Sequence, residues 1–344
     1  MTKVYVGMSG GVDSSLTAAL LVEQGYDVTG VYMKNWTEDL PGMKCPWADD
    51  LADAKRVAVQ LGIDFKVFDF ENEYKHKVVD YMIDEYKLGR TPNPDIMCNQ
   101  EVKFKLFLDA ALEDGADMIA TGHYARVEDG KLKMAVDTNK DQTYFLYRVT
   151  ESALKKTLFP LGGFTKPQVR EMAVARGLFT AGKKDSQGIC FVGKIGIREF
   201  LSQYVQQTPG DIIDKKTGKV LGRHDGAIFY TLGQRHGLDL GGGLPYYVVG
   251  KDMEKNEVYV TTDLNDETLW RQNVALTAVH WINQPVSGAV EIRIRHRAPL
   301  VAATIESNNS QASLHLDHAE RAIASGQSVV LYRDGTCLGG GIVF

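Results

Sequence analysis

The pattern of apolar and polar positions changes character once along the chain. Up to about residue 207, short β-rich runs at 3–8, 27–33, 64–70 and 117–121 alternate with helical spacing at 14–24, 48–61 and 71–88. Two of these helices stop at Gly25 and Gly62, residues that close a helix with left-handed backbone at no steric cost. Helical spacing returns at 166–176 and 197–205. Strand–helix alternation of this kind predicts an α/β domain with a doubly wound parallel sheet.

After Thr208-Pro209-Gly210 the texture becomes short alternating runs between turn signals, such as Gly241-Gly242-Gly243, Asn256 and Asp334-Gly335. Runs at 290–294, 301–305, 312–316 and 328–332 read as strands of a barrel-like, all-β half. A division near Arg271 then gives three domains: a catalytic domain at 1–207, a small connecting domain at 208–271 and a C-terminal β-barrel at 272–344.

Composition adds limits. A chain of 344 residues suits two or three domains, and 44% hydrophobic with 24% charged residues is ordinary for a globular protein. No run approaches the roughly 20 apolar residues that cross a bilayer, and the first residues are too short a run for a signal peptide, so the expectation is cytoplasmic with no membrane partner. The net charge of −5 argues mildly against nucleic acid, although a local basic patch is what meets phosphate. The four cysteines, Cys45, Cys98, Cys190 and Cys337, form no C-x-x-C pair. His315 and His318 have H-x-x-H spacing without a third ligand, and no metal site is assigned to them.

The strongest local signal is Gly7-Met8-Ser9-Gly10-Gly11-Val12-Asp13-Ser14-Ser15, which follows a strand and opens a helix. Glycines bring backbone N–H groups close to a ligand, the serines add donors, and a helix N-terminus favours an anion. A Walker A loop would need G-x-x-x-x-G-K-[ST], which is not present here. The S-G-G-x-D-S string resembles the PP-loop of ATP pyrophosphatases, which cleave ATP between the α- and β-phosphates. That resemblance implies ATP and Mg2+ as cofactors, with Asp13 near the magnesium or the pyrophosphate. Met33 ends the second strand and Gly122 follows the fourth, where carboxyl ends line a nucleotide crevice.

Two cysteines lie in unusual surroundings. Arg90-Thr91-Pro92-Asn93-Pro94-Asp95-Ile96-Met97-Cys98-Asn99 carries two prolines and reads as a stiff loop, with Asp95 three residues from Cys98. Arg90, Lys103 and Lys105 are placed to lower the thiol pKa and favour thiolate. Cys190 lies in the apolar stretch 189–192, which by itself reads as a buried strand; Lys183 and Lys184 are the only sign of anything else.

The glycine loop is followed, in order, by K-N-W (34–36), G-R-T-P-N-P-D-x-x-C-N (89–99), T-G-H-Y (121–124), K-D-Q-x-Y-F-L (140–146), K-D-S-x-G-I-C-F (184–191), T-L-G-Q-R-x-G (231–237) and C-L-G-G-G (337–341). This ordered set closely resembles the bacterial tRNA-specific 2-thiouridylase family, from the first strand to the last few residues. The resemblance implies that ATP adenylates the C2 oxygen of the wobble uridine and that a persulfide on Cys190 delivers sulfur. Cys98 is then the second thiol, leaving a transient Cys98–Cys190 disulfide. Asp95 becomes the proton carrier, and Asn93, Pro94 and Asp95 touch the extruded base. His123, Lys140, Asp141, Gln142, Arg295, His296 and Gln327 become contacts to tRNA. A protein persulfide donor fed by a cysteine desulfurase would load Cys190.

Arg293, Arg295 and Arg297 alternate along a predicted strand and would form a one-sided phosphate stripe. Two rival readings remain open at this level. A different PP-loop enzyme, such as an amidotransferase or carboxylate-activating synthetase, would need neither cysteine. A non-catalytic RNA-binding protein with a redox switch would release no pyrophosphate.

Overall fold

The structure is a computed structural model that describes residues 1–39, 45–184, 196–241, 243–308 and 311–344. Its first part contains β1 (Lys3–Gly7), β2 (Asp27–Lys34), β3 (Asp64–Asp69), β4 (Met118–Ala120), β5 (Ala125–Glu128), β6 (Lys131–Met134) and β7 (Thr157–Leu158). Five of these form a parallel sheet in the order β3-β2-β1-β4-β7. The alternation along β1 shows why both faces are covered. Val4 and Val6 pack against Ala18, Leu21, Ala54 and Val57 from the helices Val12–Glu23 and Trp47–Leu61. Tyr5, between them, faces Val78, Met82, Val102 and Phe107 on the other side. A sheet buried on both faces needs such nearly continuous apolar strands.

The segment read as a stiff loop at 90–99 is a loop only as far as Asn93. The Asn93 Oδ1 accepts from the N–H groups of Asp95 (3.1 Å) and Ile96 (3.3 Å), so Asn93 caps a helix. Pro94 takes the first helical position, where its missing N–H costs nothing and its fixed φ suits the turn. The helix runs through Pro94–Met97 and Cys98–Leu106 into Phe107–Glu113, which puts Cys98 on a rigid element. Asn followed by Pro is a helix start signal as well as a loop signal, and the apolar face behind it decided between them.

Beyond the first part, β8 (Gly210–Asp214), β9 (Val220–His224), β10 (Tyr247–Asp252) and β11 (Glu257–Thr261) make a small sheet in the order β10-β11-β8-β9. Then come β12 (Trp270–Trp281), β13 (Gly288–Arg293), β14 (Val301–Ser307), β15 (Ala312–Arg321), β16 (Ser328–Arg333) and β17 (Thr336–Val343). β12 pairs with both β15 and β17, so these six strands close into a barrel around Leu276, Ile292, Ile305, Leu314 and Leu331. The β5–β6 hairpin, which the periodicity did not mark, joins this sheet through Thr336↔Lys133 and Cys337↔Leu132. The first part and the barrel therefore share backbone pairing. Among the described residues, no helix is long and apolar enough to cross a membrane.

The expected arginine stripe does not form. β13 ends at Arg293, which is buried, while Arg297 sits at φ 64° beyond the strand. Arg295 donates to the Ala322 carbonyl and Arg297 to the Asn139 carbonyl (3.0 Å), so the three guanidinium groups serve different neighbours.

Barrel closure depends on the glycines of β17. Gly339 has φ +142°, and a Cβ there would lie 2.0 Å from the His280 carbonyl oxygen of β12. Gly339→Ala is expected to lower stability by about 1–3 kcal/mol in urea denaturation, as overpacking does. Gly163→Ala, where a Cβ would meet nothing within 4 Å, should stay near the parent.

Candidate nucleotide and thiol site

The chain leaves β1 toward β2 on one side and later returns to β4 on the other. Such a switch point opens a crevice at the carboxyl ends of the strands. A cavity of about 300 Å³ lies there, at the small end of the range for ligand pockets. Gly7, Met8, Ser9, Asp13 and Ser14 line it from the glycine loop, Met33, Asn35 and Trp36 from the end of β2, and Gly122 and His123 from beyond β4.

The loop is shaped by backbone needs. Gly10 has φ +72°, and a Cβ there would stand 2.4 Å from the Asp50 carbonyl oxygen. The N–H of Ser9 donates to Ser14 Oγ (3.1 Å), and the hydroxyls of Ser14 and Ser15 donate to the Gly11 carbonyl (3.2 and 2.7 Å). No side chain caps the helix Val12–Glu23, whose N-cap is Gly11. At Gly122 a Cβ would lie 2.9 Å from Ser14 N, so the segment after β4 sits directly on the helix start. An uncapped helix start of this kind can receive an anion. Val12 points the other way, into the core with Leu16 and Val169.

Asp13 is fully engaged. Lys166 Nζ lies 2.7 and 2.8 Å from its two oxygens, and the Tyr124 hydroxyl donates to Oδ1 at 2.9 Å. Tyr124 ends the T-G-H-Y motif and Lys166 lies in no motif, but both reach Asp13 only through the fold. Among the described residues no group of three or more His, Cys, Asp and Glu is placed to hold a metal. A magnesium ion here would find Asp13 and the oxygens of its own ligand and water, which is how Mg2+ is commonly bound beside phosphates.

Cys98 is fully buried behind the cavity wall. Burial pushes its thiol up; Lys103 and a hydrogen bond from Tyr74 pull it back, and Asp95 adds to the rise. The expected lowering by nearby lysines is thus overturned: desolvation outweighs the Lys103 charge. Tyr74 and Lys103 both line the cavity, so the two groups that act on the thiol also face the phosphate crevice. His123 Nδ1 pairs with Thr121 Oγ1 at 2.7 Å and packs on Phe104 and Phe159. Burial, and then the Lys103 charge, hold His123 well below the ordinary imidazole range, so the ring is neutral at neutral pH.

The residues that resemblance assigns to tRNA are distributed unevenly. Gln142 lines the cavity, and its Oε1 accepts from Tyr124 N at 2.9 Å. Asp141 is buried and holds Arg293 at 2.8 Å, so its carboxylate faces the barrel and not the surface. Lys140 lies half-buried on the same loop, and Arg295 is exposed. His296 packs on Phe145 in a tilted arrangement with ring centroids 4.5 Å apart, and Gln327 Oε1 accepts from Ala324 N. Pro94 is buried as the first residue of the helix that Asn93 caps, and Asp95 is half-buried in the same turn. Cys190 lies outside the described residues; just before that segment, Lys183 pairs with Asp50 and Asp53, each at 2.8 Å. Cys45, read as structural, lines the cavity with its Sγ 3.6 Å from the Trp36 carbonyl.

Four imidazoles, His123, His224, His280 and His296, are shifted down chiefly by burial. His296 is brought to about 4, with Arg297 and Arg293 adding to the effect. The unfolded chain takes up these protons first, near pH 6.5. Their contribution to stability is therefore complete above that pH and is lost as pH falls through 6.5, for His296 until about 4. Thermal unfolding is expected to show a midpoint that falls over this window. His296→Asn should make the slope shallower, and an unchanged slope would remove His296 from the linkage.

Family models match along the whole chain. The tRNA methyl transferase HUP domain covers residues 2–194, the tRNA methyl transferase PRC-barrel domain 198–262 and the aminomethyltransferase β-barrel domain 271–343. The tRNA-specific 2-thiouridylase MnmA of Bacillus licheniformis is 48% identical over 99% of this chain and 95% of its own. That of Bacillus subtilis is 47% identical over the same shares. Among solved structures, the U34-tRNA thiolase NcsA from Methanococcus maripaludis aligns over 59% of this chain and 65% of its own, at 18% identity and a TM-score of 0.38, too distant to bear on activity. Identity of this level over nearly the full length places the chain in the family of tRNA-specific 2-thiouridylases.

Proposed function

We propose that this protein is a sulfurtransferase that converts a wobble uridine of tRNA to 2-thiouridine at the expense of ATP. The observation that carries the reading is the convergence of two devices on one cavity. The glycine loop offers an anion site, and Tyr74 and Lys103, which line the same cavity, act on the Cys98 thiol behind it.

ATP fits the residues present. The uncapped helix start, the loop N–H groups and the hydroxyls of Ser9 and Ser14 face the cavity from one side, and Met33 with Trp36 offers apolar and aromatic surface from the other. Magnesium, bound with the nucleotide, would offset phosphate charge beside Asp13. In the reaction, the uridine C2 oxygen takes the adenylyl group and pyrophosphate leaves. The terminal sulfur of a Cys190 persulfide bonds to C2 and AMP departs with the oxygen. The Cys98 thiolate then attacks the inner sulfur of Cys190. That step frees 2-thiouridine and leaves a Cys98–Cys190 disulfide, which an external thiol reduces. A protein persulfide, supplied by a cysteine desulfurase, reloads Cys190 in the reducing cytoplasm.

Asp95 lies three residues before Cys98, beside the thiol whose proton must leave. It is the proton carrier of this reading. The anticodon loop suits it because a base already unstacked costs little to extrude. Lys140, Arg295, His296 and Gln327 supply the tRNA contacts on the barrel side. Methyl transfer, the wording attached to the domain families, would leave both cysteines dispensable.

Incubation with ATP, magnesium, tRNA and a persulfide donor, followed by digestion and mass spectrometry, is expected to yield 2-thiouridine. Cys98→Ser and Cys190→Ser should each reduce the yield at least about a hundredfold, as loss of an essential group does. A methylated base, or full yield from both variants, would sink the thiolation reading. In the absence of RNA, the buried and protonated Cys98 should resist iodoacetamide at pH 7.5 far longer than a free thiol, as mapped by peptide mass spectrometry. Rapid alkylation at Cys98 would contradict the resting geometry.

A further inference from the structure

Every residue that lines the nucleotide cavity precedes Thr143, so the C-terminal barrel contributes nothing to its wall among the described residues. The barrel nevertheless reaches the phosphate loop through a short chain of contacts. Arg293, the last residue of β13, donates to Asp141 Oδ2 at 2.8 Å, and both side chains are almost wholly buried. Ala135 N donates to Asp141 Oδ1 (3.0 Å), and Thr143 Oγ1 donates to the same Oδ2 that Arg293 reaches (2.8 Å). Its neighbour Gln142 exchanges two hydrogen bonds with the backbone of Tyr124, each 2.9 Å. The Tyr124 hydroxyl then donates to Asp13 in the glycine loop at 2.9 Å.

The same loop makes a second connection. Arg297 donates to the Asn139 carbonyl from the barrel side, and Asp137 Oδ2 accepts from the N–H of Lys166, whose ammonium group grips Asp13. Residues 135–143 are thus held by the barrel at Asn139 and Asp141, and by both partners of Asp13 at Asp137 and Gln142. A buried ion pair is a poor source of net stability, because desolvation takes back most of the attraction. It does fix geometry, since a carboxylate with three donors around it has one low-energy placement.

We propose that Asp141 and Arg293 are positioning residues for the phosphate site: the barrel, through this pair, sets the nucleotide affinity of a cavity it does not touch. The inference rests on the reading of that cavity as an ATP site. It makes a specific claim about energy, because spatial connection alone does not show coupling. Coupling is reciprocal, so nucleotide in the cavity should also stiffen the barrel face that carries Arg295 and His296.

The test is calorimetric binding of a non-hydrolysable ATP analogue with magnesium to the full chain. The variants are Arg293→Gln, Tyr124→Phe and the double variant, each checked for folding by its thermal transition. Arg293→Gln is expected to weaken binding about 5- to 50-fold, a typical coupling range. Tyr124→Phe should do the same, and the double variant should be no weaker than the poorer single one, because both cut one chain. Arg293→Lys, which keeps the charge, should recover part of the loss. Arg333→Gln removes bonds to the Ser287 and Ala289 carbonyls within the barrel, and should bind as the parent does. That control separates positioning from general loss of barrel stability.

Parental affinity in folded Arg293→Gln, or additive losses in the double variant, would overturn the inference. Equal weakening by Arg333→Gln would overturn it too. If Arg293→Gln does not fold, Arg293→Lys paired with Tyr124→Phe completes the cycle: non-additive losses support the coupling, and additive losses overturn it. A parent that fails to bind the analogue would instead remove the ATP reading on which the inference stands.

Discussion

The helix Val12–Glu23 begins at the carboxyl edge of a parallel sheet with no side chain over its first turn, and the rest of the site is arranged around that start. An open helix N-terminus is a cluster of partly positive N–H groups aimed at one place. Keeping it open requires a loop that turns sharply without side chains in the way. It also requires the segment after β4 to approach within contact of Ser14, which only Gly122 permits. The strand order supplies the remaining condition, since β2 and β4 leave β1 on opposite sides and a crevice opens between their ends.

The thiol chemistry is held in check by the same packing. Cys98 sits on a helix whose apolar face is part of the core beneath the sheet, so the side chain is dry and its proton is retained. Lys103 and Tyr74 favour the thiolate but lose to desolvation. A group poised between a strong penalty and two nearby stabilisers responds steeply to any change in solvation.

The three parts of the chain are not beads on a string. The β5–β6 hairpin of the first part is stitched to β17, Thr91 pairs with Thr231 of the middle part, and Thr91 N donates to the Ser325 carbonyl of the barrel. The segment just ahead of Cys98 is therefore gripped from both other parts. An arrangement of this kind ties the placement of the helix that carries Cys98 to the other two parts of the chain.

The first four strands of the parallel sheet, the helices ahead of residue 90 and the glycine loop are legible in the sequence, because each depends on local periodicity and on backbone freedom at named glycines; the helical stretch from Pro94 to Glu113 is not. The barrel is legible as short alternating strands, and the motif order is enough to recognise the family. Partners brought from far along the chain are not legible. Lys166 and Tyr124 on Asp13, Tyr74 on Cys98, and Arg293 on Asp141 join residues up to 153 positions apart, and no spacing rule records such pairs. The Cys98 shift runs opposite to the sequence expectation for the same reason. Sequence shows the lysines nearby, whereas burial, which outweighs them, exists only once the helix has been laid against the core. The arginine run 293–297 departs from its expected stripe because alternation presumes an extended strand, and the tertiary contact between Arg293 and Asp141 stands at the point where that strand ends. Local chemistry is written in the order of residues; the charge and solvation that govern it are set by what the fold brings alongside.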